Sequence, residues 1–377
     1  MSRHPAVWSD PKAHLQATLP DHPVLYFSPA RLRATAHQFL SGFPGLVTYA
    51  VKANDAAVVL ENLVASGIRA FDVASPEEME KVRAAAPGAA MHYNNPVRSK
   101  AEVAAAVRFG VRSFSVDSVG ELAKLIAAVP AEGTEVSVRL KLPVPGAAYD
   151  FGTKFGAGPD DAVDLLRRVA DAGFTPSMTF HPGTQCERAE AWTQYIDACA
   201  QVAKRANVSL KRLNVGGGFP SHRVGKAPDL QAIFQTIGRA TARAFDTPPE
   251  LVCEPGRAMV AEAFILAARV KCRRDAVIFL NDGIYGGLAE TAFMGAIDRI
   301  TVVPPLGTPR SGESFDATVF GPTCDSLDRM KGTVALPETI IEDDYLIIEG
   351  MGGYSTATVT RFNGYGAFET VTIGPKG

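Results

Sequence analysis

Leu46-Val47-Thr48-Tyr49-Ala50-Val51-Lys52-Ala53-Asn54-Asp55 is the stretch that decides the fold. Its opening run is apolar and β-branched, the composition of a buried parallel strand, and a lysine follows directly. Such a strand carries Lys52 to a buried or half-buried end, where an ammonium costs several kcal/mol unless it is paired or loses its charge. Desolvated lysines of this kind form Schiff bases with carbonyl compounds. Taken alone, the segment reads equally well as a lysine snorkelling outward from a strand end.

The same texture recurs downstream. Short apolar runs at 70–73, 90–93, 113–116, 135–140, 175–180, 212–215 and 250–253 alternate with amphipathic stretches such as 76–85, 99–109, 119–128, 160–172 and 189–206. Strand–helix units repeated between about residues 30 and 260 predict a (β/α)8 TIM-type barrel rather than a doubly wound sheet. Beyond them, runs at 270–271, 277–280, 300–303, 317–320, 345–348 and 356–361 are separated by Gly, Pro and Asp with no long helix. The expected class is α/β plus β: a barrel over residues 28–262 and an all-β C-terminal domain over 263–377, with residues 1–27 contributing a short strand at 24–27.

A chain of 377 residues is long enough for two domains. Lys+Arg 38 against Asp+Glu 40 gives a net charge of −2 with no basic tract, which points away from nucleic acid and from acidic membrane surfaces. The opening MSRHPAVWSDPKAHLQ has no apolar signal-type segment, and no run of about 18 apolar residues occurs, so neither export nor a membrane span is expected. Cys186, Cys199, Cys253, Cys272 and Cys324 are an odd number without CxxC spacing, which fits a reduced, cytoplasmic protein. The histidines are scattered with no i,i+4 pair, so no metal is expected.

Active sites of β/α barrels lie at the C-terminal ends of the strands. Those ends carry Lys52, Asp72, Asn94-Asn95, Asp117, Arg139, His181, Gly216-Gly217-Gly218 and Glu254-Pro255-Gly256-Arg257. Three glycines after a strand let backbone N–H groups approach an anion, and Arg257 can clamp the same phosphate. A tight turn and a surface salt bridge are the plainer readings of each alone. A carboxylate such as Glu254 at the pyridine nitrogen of pyridoxal phosphate keeps that nitrogen protonated, an electron sink suited to loss of CO₂; Glu254 also reads as a partner for Arg257. His181, in Phe180-His181-Pro182-Gly183-Thr184, can stack on such a ring, and Thr184 can donate to phosphate. Farther on, Gly321-Pro322-Thr323-Cys324-Asp325-Ser326-Leu327-Asp328 sets a thiol beside a carboxylate, although a free cysteine is commonly a small hydrophobe. Gly352-Gly353-Tyr354 offers close backbone and a hydroxyl.

In this order the residues resemble the fold-type III pyridoxal-phosphate-dependent decarboxylases, whose barrel is alanine racemase-like, and within them the ornithine/lysine decarboxylase branch. The match runs from Tyr49-Ala50-Val51-Lys52 to Phe362-Asn363-Gly364-Tyr365 through Phe71-Asp72-Val73-Ala74-Ser75 and Lys154-Phe155-Gly156-Ala157. The resemblance implies that Lys52 binds pyridoxal 5'-phosphate covalently, His181 stacks on it and Glu254 pairs with its ring nitrogen. It gives the phosphate to Gly216, Gly217, Gly218, Thr184, Gly256, Arg257 and Tyr354, with Asp72, Glu78 and Arg139 in support. Cys324 would return a proton to the substrate carbon, Asp325 would bind the distal amine, and Phe293, Met294 and Phe362 would line the substrate. It also implies a homodimer with shared active sites, Cys324 and Asp325 reaching into the neighbouring subunit and Lys154 pairing with Asp328 across the interface.

Two departures stand out. Pro182 replaces the residue after His181, removing a backbone donor. Phe293 and Met294 occupy the neighbourhood where ornithine and lysine enzymes place a second acid, and Asp298 is the next acid available. The implied function is decarboxylation of ornithine to putrescine or lysine to cadaverine, in polyamine biosynthesis. The alternatives are a decarboxylase of a different or modified amino acid, as in siderophore or specialised metabolism, and a non-catalytic homologue. Retention of Lys52, Cys324 and the three glycines argues against the last.

Overall fold

The computed structural model describes residues 7–143, 154–295 and 297–374. A first short strand, β1 (Val24–Phe27), precedes eight parallel strands that close on one another. These are β2 (Leu46–Ala50), β3 (Ala70–Val73), β4 (Ala90–Tyr93), β5 (Ser113–Val116), β6 (Glu135–Arg139), β7 (Thr175–Thr179), β8 (Arg212–Asn214) and β9 (Glu250–Cys253). The seam is made by β2 and β9, with Leu46 opposite Val252. The expected (β/α)8 barrel is therefore observed.

Local chemistry sets the helix starts. Pro76–Ala85 begins at Ser75, whose hydroxyl accepts the N–H of Glu78, and the proline sits where no intrahelical donor is needed. Lys100–Arg108 opens with a reciprocal capping box between Ser99 and Glu102. Helices Pro29–Gly42, Ala57–Ala65 and Leu230–Ala244 complete the alternation.

The remaining strands are β10 (Phe264–Arg274), β11 (Val277–Leu280), β12 (Ile300–Val303), β13 (Ser314–Phe320), β14 (Val334–Pro337), β15 (Tyr345–Glu349) and β16 (Glu369–Thr372). Together with β1 they form an eight-stranded sheet in the order β12-β15-β10-β11-β13-β14, with β1 against β10 and β16. Leu15, Tyr26, Ile265, Tyr345, Ile347 and Val371 fill its core. The run 356–361 is not a strand. The backbone N–H and the hydroxyl of Thr358 both donate to the Tyr354 carbonyl, and Tyr354 itself lies at φ +62°, so a turn forms there instead.

By contact density the chain divides into two units. One is Ala36–Pro220 with Pro228–Met259, the other Met1–Thr35 with Ser221–Ala227 and Val260–Gly377. The segment Ser221–Ala227 thus groups with the β-rich unit, although its position in the sequence falls inside the barrel. Among the described residues no helix is long and apolar enough to cross a membrane.

One barrel histidine makes stability pH-dependent. His92, on β4, is buried beside the Ser113 hydroxyl at 3.1 Å, and burial with Arg212 nearby lowers its pKa to about 4. A folded-state value below the unfolded one means the fold favours the neutral ring. That contribution is present above the unfolded value and is lost as pH falls toward 4, about 3 kcal/mol in all. Melting of the wild type should drop between pH 6.5 and 4, and His92→Gln should flatten that slope; parallel curves for both proteins would remove His92 as the cause.

Candidate active site

Strand β2 stops at Ala50, and Val51–Ala53 form a 3-10 turn closed by the Asn54 N–H on the Val51 carbonyl at 3.1 Å. The turn lifts Lys52 out of the barrel wall, leaving its side chain 48% exposed. At this half-buried strand end the ammonium is matched by charge, with Nζ 3.9 Å from Asp72 Oδ2. Parallel register places Asp72 opposite Ala50.

Asp72 is buried, and burial raises its pKa, while Lys52, Arg139 and hydrogen bonds from Asn94 pull the other way. Glu78 accepts the Ala74 N–H at 2.7 Å, and burial lifts it to about 7. Arg139, at the end of β6, has its pKa lowered by burial against the opposing pull of Glu254, Asp72 and Asp117. Its guanidinium lies 5.2 Å over the Phe155 ring.

Glu254 follows β9 and is buried. Its Oε1 accepts from Nδ2 of both Asn94 and Asn214. Burial, and then Asp72, push its carboxyl up to about 8, against the pull of Lys52, Asn214 and Arg139. His181 is held well below its ordinary value by burial, helped by Arg139 and Lys52, so its imidazole is neutral. The Gly183 N–H donates to His181 Nδ1 at 3.1 Å, which leaves the proton on Nε2. With Pro182 lacking an N–H, the next residue supplies the donor that fixes the ring.

The glycine loop crosses beside that imidazole. Gly216 and Gly218 take φ of +70° and +80°, a region that favours glycine. A Cβ at Gly217 would stand 2.7 Å from the Glu254 carbonyl oxygen and 3.3 Å from His181 Nε2. At Gly256 it would stand 3.1 Å from Ala53 Cβ, and Arg257 opens the short helix Arg257–Val260 with its side chain buried. Thr184, half-buried, follows Gly183. The barrel thus brings Lys52, Asp72, Arg139, His181, Glu254 and the glycines to one set of strand ends.

The β-rich unit carries the other named residues. The N–H and Sγ of Cys324 both donate to Asn363 Oδ1, at 3.1 and 3.2 Å, and the residue is exposed. Asp325 accepts from the Leu327 N–H and the Tyr285 hydroxyl, which hold its carboxyl below the usual range. Cys324 and Asp325 line a cavity of about 460 Å³ with Lys271, Phe279 and Phe320. Phe362 packs on Tyr285 at 5.0 Å, Phe293 is 78% exposed, and Met294 ends the short helix Thr291–Met294. Tyr354 occupies a left-handed turn.

Two acids are already engaged by backbone. Asp328 is 1% exposed and accepts from the Ile284 N–H and from the N–H and hydroxyl of Thr323. Asp298 accepts the Gly225 N–H at 2.7 Å and donates its own N–H to the Arg223 carbonyl, which ties it to Ser221–Ala227. Asn214 escapes a motif-based reading, although an Asn two residues before a glycine signals a side-chain-closed turn.

Residues 29–261 match the family described as pyridoxal-dependent decarboxylase, pyridoxal binding domain. The chain is 35% identical over 330 residues to the lysine/ornithine decarboxylase of Selenomonas ruminantium, covering 85% of this chain and 81% of that protein. The arginine decarboxylase of Paramecium bursaria Chlorella virus superposes with a TM-score of 0.85 at 26% identity, covering 96% and 98% of the two chains. The lysine/ornithine decarboxylase of Vibrio vulnificus, complexed with cadaverine, does so with a TM-score of 0.83 at 27% identity, covering 97% and 100%.

Proposed function

The chain belongs to the pyridoxal-dependent decarboxylases, and on that premise we propose that it decarboxylates a basic L-amino acid, ornithine to putrescine or lysine to cadaverine, in polyamine biosynthesis. The observation that carries this reading is Glu254: a buried carboxyl, pushed to about 8, that needs a cationic neighbour to be ionised at neutral pH. A protonated ring nitrogen is such a neighbour.

The barrel residues fit pyridoxal 5'-phosphate. Gly217 leaves open the space beside His181 that any Cβ would fill, and the flanking glycines hold the loop in its left-handed bends. Gly216, Gly217, Gly218, Thr184, Gly256, Arg257 and Tyr354 would hold the phosphate, and Lys52 the aldehyde carbon. When bound, the cofactor supplies an electron sink for the pair left behind as CO₂ departs. His181 offers a neutral ring, which a cationic ring nitrogen does not repel. Asp72 and Arg139 set the charge around Glu254. Cys324 delivers a proton to the substrate Cα once the carboxylate has gone.

At the substrate's far end, Asp325 stays ionised because two donors already favour its charge. Asp298 is engaged with Gly225, so one carboxylate meets the distal ammonium. Asp325→Asn should raise KM for ornithine and lysine about tenfold to a hundredfold with kcat nearly kept, the value of one hydrogen bond to a charged group. The reading is tested by offering the loaded enzyme ornithine, lysine, arginine, diaminopimelate and several apolar and N-acylated amino acids, with amine products followed by mass spectrometry. Fast putrescine or cadaverine formation supports it. Turnover confined to the apolar or acylated compounds would sink it and give Phe293 and Met294 the dominant say.

The reading includes a homodimer with shared sites. Phe293, Leu327 and Phe362 expose large apolar surface in the unit that bears Cys324, which supports burial against a second copy. Mixing inactive Lys52→Ala with Cys324→Ala should then restore about a quarter of the wild-type activity, since half of randomly paired dimers hold one intact site of two. Activity that stays at the sum of the separate variants would place each site within one chain. All five cysteines are free, which supports a reducing, cytoplasmic setting.

A further inference from the structure

Glu254 is held from two other strands. Asn94, one residue past β4, and Asn214, the last residue of β8, donate to the same oxygen, Oε1. Asn214 is 5% exposed and uses both ends of its amide. Nδ2 faces the carboxylate, while Oδ1 accepts the Gly216 N–H at 2.9 Å and closes a turn at the start of the glycine loop. The Gly216 carbonyl in turn accepts the Glu254 N–H at 2.9 Å, so backbone and side chain tie the same two segments together. Only an uncharged group with a donor at one end and an acceptor at the other satisfies both contacts. Aspartate would set a second carboxyl against Glu254, and serine, too short to reach it, would keep only the turn.

We propose that Asn214 is a positioning residue that couples the glycine loop taking the cofactor's phosphate to the carboxylate taking its ring nitrogen, with Asn94 as a second brace on that carboxylate. The proposal rests on the reading that Gly216–Gly218 and Glu254 face the cofactor. Two donors on Oε1 favour the ionised form of Glu254 and turn Oε2 away from them. Removing either donor disfavours the charge, so ionisation then requires a higher pH. The effect on cofactor hold differs between the two. Asn214 touches both the loop and the carboxylate, whereas Asn94 reaches that carboxylate and Asp72 but not the loop.

The test uses the purified holoenzyme and the variants Asn214→Ser, Asn94→Ala and Glu254→Gln. Serine at 214 can still accept the Gly216 N–H, so the turn is kept while the donor to Glu254 is lost. Three quantities are read: dissociation of pyridoxal phosphate by equilibrium dialysis, the absorption band of the bound cofactor against pH, and the acid limb of the kcat/KM profile. Asn214→Ser should weaken cofactor binding about tenfold and move the acid limb up by about one pH unit, with the band following the limb. Asn94→Ala should move the limb the same way while retaining the cofactor more tightly than Asn214→Ser. A purely structural asparagine would lower the melting temperature and leave limb, band and affinity where they are, and that result overturns the proposal. If Asn214→Ser does not fold, an unmoved limb in Asn94→Ala overturns it. Glu254→Gln separates the two levels: wild-type behaviour there sinks the underlying reading of Glu254, whereas an impaired Glu254→Gln beside unaffected asparagine variants sinks the brace alone.

Discussion

Lys52→Ala should abolish turnover, with a loss of at least about a thousandfold, as expected when a covalent attachment point is removed. The geometry makes this a clean experiment. The Lys52 side chain is half exposed, and its Nζ approaches Asp72 no nearer than 3.9 Å. At that distance, with Lys52 half exposed, the contact itself contributes about 1 kcal/mol or less, and the buried Asp72 can take up a proton once its cation is gone, so the fold should survive. The electrostatic consequence is local: Asp72 loses the cation that most opposes its rise in pKa and keeps Arg139 and Asn94. The variant should therefore melt near the wild type, lose pyridoxal phosphate on dialysis and form no amine from ornithine or lysine. A variant that keeps more than a few per cent of activity would mean that another group holds the cofactor. Melting far below the wild type would instead reveal a structural share for the Lys52–Asp72 contact.

Much of the barrel is legible in the sequence because its strands are short apolar runs bounded by polar ends, and several helices announce themselves through Ser75, Ser99 and Ser118. Positions at strand ends follow from that frame, which is why Asp72, Arg139, His181, the glycines and Glu254 can be named together. Side-chain environment is less legible. The exposure of Lys52 depends on a 3-10 turn after Ala50, which the apolar run hides by continuing into Val51. Strand β16 reads as loop because Glu369 and Thr370 face solvent, and it forms by pairing with β1 far away in the chain. Asn214 carries no motif, and its role depends on Asn94, Gly216 and Glu254 meeting in space. Asp298 and Asp328 are as little legible, since the sequence does not show that backbone N–H groups from distant segments, Gly225 and Ile284, already bond their carboxylates.

Glu254→Gln should lower kcat by about a hundredfold to a thousandfold with little change in KM, the scale of losing one preorganised charge at the reacting centre. Glutamine matches glutamate in size, so the cavity stays filled. Its orientation is dictated by its neighbours: Asn94 and Asn214 both donate to the position of Oε1, so the glutamine oxygen must occupy that place. The new NH₂ then takes the place of Oε2. If Glu254 pairs with the ring nitrogen as proposed, an acceptor there would become a donor, which would favour the unprotonated nitrogen and weaken the electron sink. On the proposed reading Glu254 serves the cofactor ring rather than the substrate's amine and carboxylate, so ground-state binding should persist. Glu254→Asp keeps the charge but shortens the reach, and should recover part of the lost rate. The decisive comparison is kcat for the three proteins on one substrate at a pH where Glu254 is ionised. A glutamine variant within about threefold of the wild type would mean that the ring nitrogen needs no charged partner here, and Glu254 would return to a structural part in the Asn94–Asn214 network.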